Sequence, residues 1–279
     1  MKRDDRTFIV KVRRFFRDLL RSFPKLDGFF RRVVWSRIHF PEMELRSLNR
    51  LPPHTVDVAI DVGAALCNYS WVLSRKAKKV FAFEPGELHG LYLKRTTAGT
   101  NVELVRAAVG DNFATVDMYT PGSATEALHS ATLSKRNPVA AGEVIVHQVR
   151  QITLDGFFED KLSDERYIDV LKVDVEGYEN AVFRGAQSLL RKYRPLIICE
   201  IEARHNPEYH ETFDLLRNLG YKCHLYYNGA YHLFEGETIG TYQSDDALEA
   251  LLSGQAVRSK LPYLNNFVFQ HAQSRVKIA

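Results

Sequence analysis

The sequence predicts an α/β fold built on a mostly parallel sheet, and three observations carry that reading. From Leu51 onward, short buried-type strands alternate with helical stretches, which implies strand–helix–strand units with right-handed crossovers. Four strand ends carry a carboxylate, in Asp61-Val62-Gly63, Glu84-Pro85, Asp174-Val175-Glu176 and Glu200-Ile201-Glu202. Gly63 follows the first strand directly, where a glycine permits a tight turn and a close approach of the backbone.

The elements follow in order. Residues 1–50 read as a basic helical arm and 51–279 as the α/β domain. Within the arm, Phe8, Ile9, Val12, Phe15, Phe16, Leu19, Leu20 and Phe23 recur at helical spacing, and Pro24 ends the stretch. Pro52-Pro53 marks the boundary. Strands are expected at Val56–Val62, Lys79–Phe83 and within Asn101–Val109, with helices at Asn68–Ala77 and Leu88–Thr97 between them. Residues 110–165 are less regular. Strands are expected there at Thr115–Tyr119 and Val144–Val149, separated by a long Ser/Thr/Ala/Gly-rich loop, Pro121–Gly142, of the kind that covers a site. Tyr167–Val175 and Leu196–Glu200 read as buried strands around a helix Gly177–Tyr193. Asn206 and Pro207 are a candidate N-cap and first position for a helix that Gly220 stops. Asn228-Gly229 predicts a type I′ hairpin joining Tyr221–Tyr227 to Ala230–Phe234, and Phe267–Phe269 is a last strand.

Composition narrows the function classes. With 45% hydrophobic and 26% charged residues the chain is an ordinary globular one. Its longest apolar run, Val62–Cys67, is far short of the roughly 20 residues of a membrane-spanning helix. Arginines interrupt every apolar stretch near the N-terminus, which argues against a cleavable signal. Three dispersed cysteines, Cys67, Cys199 and Cys223, suggest neither disulfides nor zinc, so the cytoplasm is the expected location. Charge is uneven. Residues 1–50 hold 14 Lys+Arg and 6 Asp+Glu, whereas the remainder holds 24 and 28. An acidic body argues against a nucleic-acid partner. The arm either packs on the domain or contacts an anionic membrane surface through residues 8–23.

Glu84 lies 21 residues beyond Gly63, a spacing at which an acid accepts hydrogen bonds from ribose hydroxyls; the plainer reading is a surface acid at a turn. The turn Gly63-Ala64-Ala65-Leu66-Cys67 has one glycine and no GxGxxG, and no Walker lysine motif exists. A ribose acid without a pyrophosphate cradle points away from NAD and toward S-adenosylmethionine (SAM), whose sulfonium suits a carboxylate-lined cleft.

Ala59-Ile60-Asp61-Val62-Gly63-Ala64, Phe83-Glu84-Pro85, Thr153-Leu154-Asp155, Leu171-Lys172-Val173-Asp174-Val175-Glu176-Gly177-Tyr178-Glu179, Arg184-Gly185-Ala186 and the closing Asn266-Phe267 together resemble the FkbM family of SAM-dependent methyltransferases. The resemblance covers roughly residues 56–270. It implies a Rossmann-like class I methyltransferase, with a seven-stranded sheet whose last strand is antiparallel, and O-methylation, often of sugar hydroxyls. Carried over by position, Asp61, Gly63 and Ala64 line the methionine part of the cofactor, Glu84 and Pro85 the ribose, and Asp111 the adenine; Asp174 and Glu176 sit near the transferred methyl. The loop departs from the family at Cys67, where a second glycine is usual, and at Ala65, where a polar residue is usual. A cysteine there adds side-chain volume and disfavours a positive φ, so a plugged pocket or weakened cofactor binding is one expectation.

A sugar hydroxyl needs a general base. Asp174 is the first candidate, with orientation of the cofactor amine as its other reading. Glu176 is the second, with stabilisation of a helix N-terminus as its other reading. His205 is the third, ahead of His147 and His210, since it follows a strand end that opens on the substrate side. Glu200, ending an apolar strand, needs a partner, which Lys172, Arg204 or a ligand amine would supply. Asp174, Glu200 and Glu202 could hold a divalent metal, but no ligand spacing demands one. Ser130–Ser134 is the stretch expected over the substrate, and Tyr178 and Tyr209 either stack on a sugar or simply pack. The expected partner is a small-molecule or glycan acceptor. Methylation of a non-sugar acceptor and a non-catalytic, partner-binding role are the rival readings.

Overall fold

The computed structural model describes residues 42–121, 132–133, 144–161, 166–235, 239–244 and 263–278. The amphipathic stretch 8–23 and most of the loop Pro121–Gly142 lie outside them.

The chain opens with helix α1 (Met43–Arg50) and strand β1 (Val56–Val62). Helix α2 (Asn68–Ser74), β2 (Ala77–Phe83), α3 (Glu87–Thr96) and β3 (Val102–Val105) follow. β4 (Ala108–Val109), β5 (Ala114–Pro121), β6 (Val144–Ile152) and α4 (Leu154–Phe158) form the irregular middle. Then come β7 (Ile168–Val173), α5 (Glu179–Arg184), α6 (Gln187–Tyr193) and β8 (Leu196–Glu200). Helix α7 (His210–Asn218), β9 (Tyr221–Tyr227), β10 (Ala230–Phe234) and β11 (Asn266–His271) complete it.

The main sheet runs β10-β9-β11-β8-β7-β1-β2-β3. Neighbouring strands from β3 through β8 pair in parallel. β11, last in sequence, inserts antiparallel between β8 and β9. Seven strands therefore match the class I arrangement, and β10 adds an eighth at the edge through the Asn228-Gly229 turn, both of whose residues take positive φ. β4, β5 and β6 form a separate three-stranded sheet, so the one strand expected within Asn101–Val109 is split between two sheets.

The chain builds outward from β1 through β2 to β3, then returns to β7 on β1's other side. That reversal opens a crevice above the carboxyl ends of β1 and β7, where open α/β sheets bind ligands. Strand alternation fixes what reaches it. Ile60 and Val62 face one buried cluster with Phe83, Leu171 and Phe183, while Ala59 faces the other with Val80, Val170 and Ile198. α1 belongs to the second cluster through Leu45 and Leu48, so the packed body already includes residues 43–50.

Two helices differ from expectation. The single helix expected over Gly177–Tyr193 breaks into α5 and α6 because Gly185 presses against the backbone of Gly110; a Cβ there would lie 2.0 Å from the Gly110 carbonyl oxygen. Asp155 then caps α6 by accepting from the amides of Ser188 (2.9 Å) and Leu189 (2.8 Å). α7 begins at His210 rather than at Pro207, since Asn206 is not its cap: the Asn206 amide donates to Glu179 Oε2 instead (2.8 Å). Among the described residues, no helix is long and apolar enough to cross a membrane.

Candidate cofactor cleft and active site

A cavity of ≈ 270 Å³ lies above the ends of β1, β2, β7 and β8. Its lining includes Asp61, Gly63, Ala64, Glu84, Pro85, Asp174 and Glu176, so seven of the expected site residues meet in one place. Two do not. His205 sits behind Glu176 in an adjoining groove. Asp111 is turned away, its carboxylate accepting from Arg184 Nε at 3.1 Å; the cleft wall at that end is built from Ala107, Ala108 and Val109 instead. The adenine contact expected of Asp111 is thus not supported by its position.

Gly63 has φ 77°, and a Cβ on it would lie 1.7 Å from the Asp174 carbonyl oxygen. The glycine is required by the close approach of β1's end to β7's end, as much as by any ligand. Glu84 is buried. Its Oε2 accepts from the Ala65 amide (2.9 Å) and its Oε1 from the Gly86 amide (2.7 Å), with His89 Nδ1 at 3.5 Å. Those amides fix the carboxylate while leaving lone pairs for further donors, as a ribose diol requires. His89 also lines the cleft, and its buried Nε2 has no partner among the described residues.

Asp61 is 2% exposed and accepts from Ser70 Oγ at 2.5 Å. Burial pushes its pKa up to about 6, against the opposing pull of the Ser70 hydroxyl and of Lys172. Glu200 is held well above the usual carboxylate range by burial and by Asp174, and its Oε1 accepts from Asn265 Nδ2 at 2.5 Å. Glu176 has φ 51°, and burial raises its pKa although its Oε2 is 2.7 Å from His205 Nδ1. His205 lies also 3.6 Å from Glu202, which in turn bonds Arg204. Thr132 Oγ1 donates to the Glu176 carbonyl (2.8 Å), and Thr132 and Leu133 line the cleft, so the described part of Ser130–Ser134 does border the site. Tyr178 hydroxyl donates to Gln151 (3.1 Å), whereas Tyr209 is buried against Phe213.

Cys67 overturns one expectation. It takes φ 60°, but its side chain is fully buried with Ala64, Ala82 and Leu93, and it does not line the cleft. The loop accommodates a left-handed cysteine without plugging the pocket.

Sequence reasoning named neither Glu42, Tyr69 nor His89 as lining residues, and it named Lys172 only as a possible partner for Glu200. Glu42 accepts from the Tyr69 hydroxyl at 2.5 Å, and the Tyr69 ring lies 4.7 Å from Lys172 Nζ. Lys172 itself is 1% exposed; burial alone would lower its pKa, but Asp174, Glu200 and Glu42 raise it overall. A lysine among apolar strand residues was the available signal, since a buried charge needs partners.

Residues 61–223 match the Methyltransferase FkbM domain. The chain belongs to the FkbM methyltransferase family. SAM is accordingly its cofactor, and the donor set fits it: six carboxylates, from Glu42, Asp61, Glu84, Asp174, Glu176 and Glu200, border a cleft suited to a sulfonium and an ammonium. Solved structures are similar in outline. An FkbM methyltransferase from Methylobacillus flagellatus is 14% identical at a TM-score of 0.44, over 85% of this chain and 48% of that one. This family member thus spans about half the length of that protein. A Streptococcus mutans protein solved in complex with SAH is 12% identical at a TM-score of 0.44, over 84% of this chain and 99% of that one. A precorrin-6y C5,15-methyltransferase from Geobacter metallireducens is 11% identical at a TM-score of 0.42, over 84% and 92%. No curated protein matches the chain.

Proposed function

We propose that this family member methylates a hydroxyl group, borne by a sugar, a glycan or a glycosylated metabolite. The observation that carries the reading is the Glu176–His205 pair, 2.7 Å apart, where the cleft meets the groove lined by Tyr178, Asn180 and Asn206. When bound, SAM supplies an electrophilic methyl group on a positively charged sulfur.

Glu84 holds the ribose hydroxyls, and Asp61 and Asp174 offer negative charge to the cationic end of the cofactor. An alcohol is a poor nucleophile until its proton has somewhere to go. Glu176 is the proton acceptor we favour. Its carboxylate lines the cleft, burial makes it more basic than an exposed glutamate, and His205 holds it in place from behind. Glu176 would take the acceptor hydroxyl's proton as that oxygen bonds to the methyl carbon and the carbon–sulfur bond breaks, with neutral S-adenosylhomocysteine as the leaving group. His205 is a positioning residue in this scheme, since Glu176 stands between it and the cleft. Thr132 and Leu133 narrow the entrance and help exclude water. In the adjoining groove Tyr178, Asn180 and Asn206 offer hydrogen bonds to a polyol, beside the charged Arg184 and Glu208.

The test is methyl transfer from radiolabelled SAM to a panel of saccharides, glycolipids, amines and carboxylic acids. Transfer confined to amines or carboxylic acids would reject the hydroxyl reading.

We further propose peripheral contact with an anionic membrane surface through residues 8–23, with the protein in the cytoplasm. Support comes from the basic, aromatic composition of the arm. Unchanged partition onto anionic liposomes after removal of residues 1–40 would reject this.

A further inference from the structure

The cleft presents six carboxylates, yet SAM also carries a carboxylate of its own at the methionine end. A bound carboxylate among six others is repelled unless a cation meets it. Among the described residues that line the cleft, Lys172 is the sole lysine or arginine.

Its position suits the role. Lys172 lies beside Asp61 in the β1–β7 register, on the side of the sheet that also carries Val170 and Ile198. The cleft extends from Glu84 at the end of β2, across β1 and β7, to Glu200 at the end of β8. A nucleoside whose ribose is held at Glu84 directs its other end across Gly63 toward β7 and β8, where Lys172 is.

The ammonium is also under-satisfied. Of its three N–H groups, one donates to Asn266 Oδ1 at 3.2 Å. Asp174 Oδ2 is 3.8 Å away, beyond hydrogen-bond length, the face of Tyr69 is at 4.7 Å, and Glu200 and Glu42 act on the ammonium through their charge. A charge that is 1% exposed and borders the cavity retains donors for a ligand.

We propose that Lys172 is the counter-ion of the cofactor's methionine carboxylate, held ready by Asn266 and Tyr69, and that it selects carboxylate-bearing adenosyl sulfonium compounds. The proposal rests on SAM being the cofactor.

The experiment compares SAM with decarboxylated SAM, which lacks only that carboxylate, by calorimetric titration of the full chain at pH 8. The wild-type protein is expected to bind SAM at least tenfold more tightly, although the decarboxylated compound carries the larger positive charge and should otherwise be favoured in an acidic cleft. Lys172→Met, with folding verified by circular dichroism and thermal unfolding, is expected to weaken SAM and leave decarboxylated SAM as tight or tighter, so that the preference shrinks at least tenfold. A wild-type preference near one overturns the proposal, as does a Met variant that keeps the wild-type preference. The wild-type comparison decides alone where the variant does not fold. Wild-type protein that binds neither compound overturns the cofactor reading itself, and the proposal with it.

Discussion

Glu176 Oε2 lies 2.7 Å from His205 Nδ1, and the two side chains are held there by opposite means. Glu176 occupies a left-handed backbone position, φ 51°, just before Gly177 at φ 101°. Gly177 in turn presses against the His205 backbone, where a Cβ would fall 2.4 Å from the carbonyl oxygen. Two loops, from β7 and β8, are thereby locked together, and the strained backbone lies at the residue proposed as the base.

Glu176→Gln should therefore lower kcat by about 10²-fold or more with little change in the KM for SAM, because it removes a base and leaves the cofactor contacts intact. Equal kcat for wild type and variant, in steady-state kinetics with a saturating acceptor, would eliminate Glu176 as the base.

His205→Gln tests the partner through pH. Burial raises the Glu176 pKa, and the hydrogen bond and charge of His205 oppose that rise. Without His205 the rise is larger, so the acidic limb of the kcat profile should move to higher pH. A limb that stays in place would show that His205 serves packing alone.

Asp61 links cofactor binding to stability. Its folded pKa of about 6 exceeds its ordinary 3.8, so the folded state holds the proton more tightly than the unfolded state. The associated stability is fully present below 3.8 and lost as pH rises through 6, an effect of about 2–3 kcal/mol at neutral pH. Asp61→Asn should consequently raise the melting temperature of the ligand-free protein at pH 7.5, although it weakens the Ser70 contact, and should depress SAM affinity. In the wild type, affinity for the cationic cofactor should rise with pH through 6, with proton release seen as buffer-dependent binding enthalpy. Binding enthalpy that is the same in buffers of different ionisation heat at pH 6 would contradict the linkage.

How much of this was legible beforehand depends on the range of the interaction. Asp61, Gly63 and Glu84 are legible because each sits at a strand end, and strand ends of a parallel sheet point to its crevice. The hairpin at Asn228-Gly229 is equally local. The break at Gly185 is not, since it depends on Gly110, remote in sequence. Asp111 follows a strand as the expected adenine contact should, yet Arg184 draws its carboxylate elsewhere. Lys172 is legible as a partner for Glu200, but its contacts with Asn266 and Tyr69 depend on residues remote in sequence.

Cys67 offers the sharpest contrast between the loop's sequence and its structure. The cysteine stands where a glycine was expected, and its backbone accepts the left-handed conformation at a cost of about 1–2 kcal/mol. Its side chain, however, is buried among Ala64, Ala82 and Leu93 and is not part of the cleft lining. Cys67→Gly relieves the backbone but vacates that space, so the two effects oppose each other and stability should change by less than about 1 kcal/mol. Cys67→Ala retains the backbone cost and loses the sulfur, so it should destabilise by about 1 kcal/mol. Neither substitution reaches the cleft, and both should leave the dissociation constant for SAM within about twofold of wild type. Calorimetric titration of both variants checks this: an affinity gain of tenfold or more in the glycine variant would show that the cysteine does obstruct the pocket.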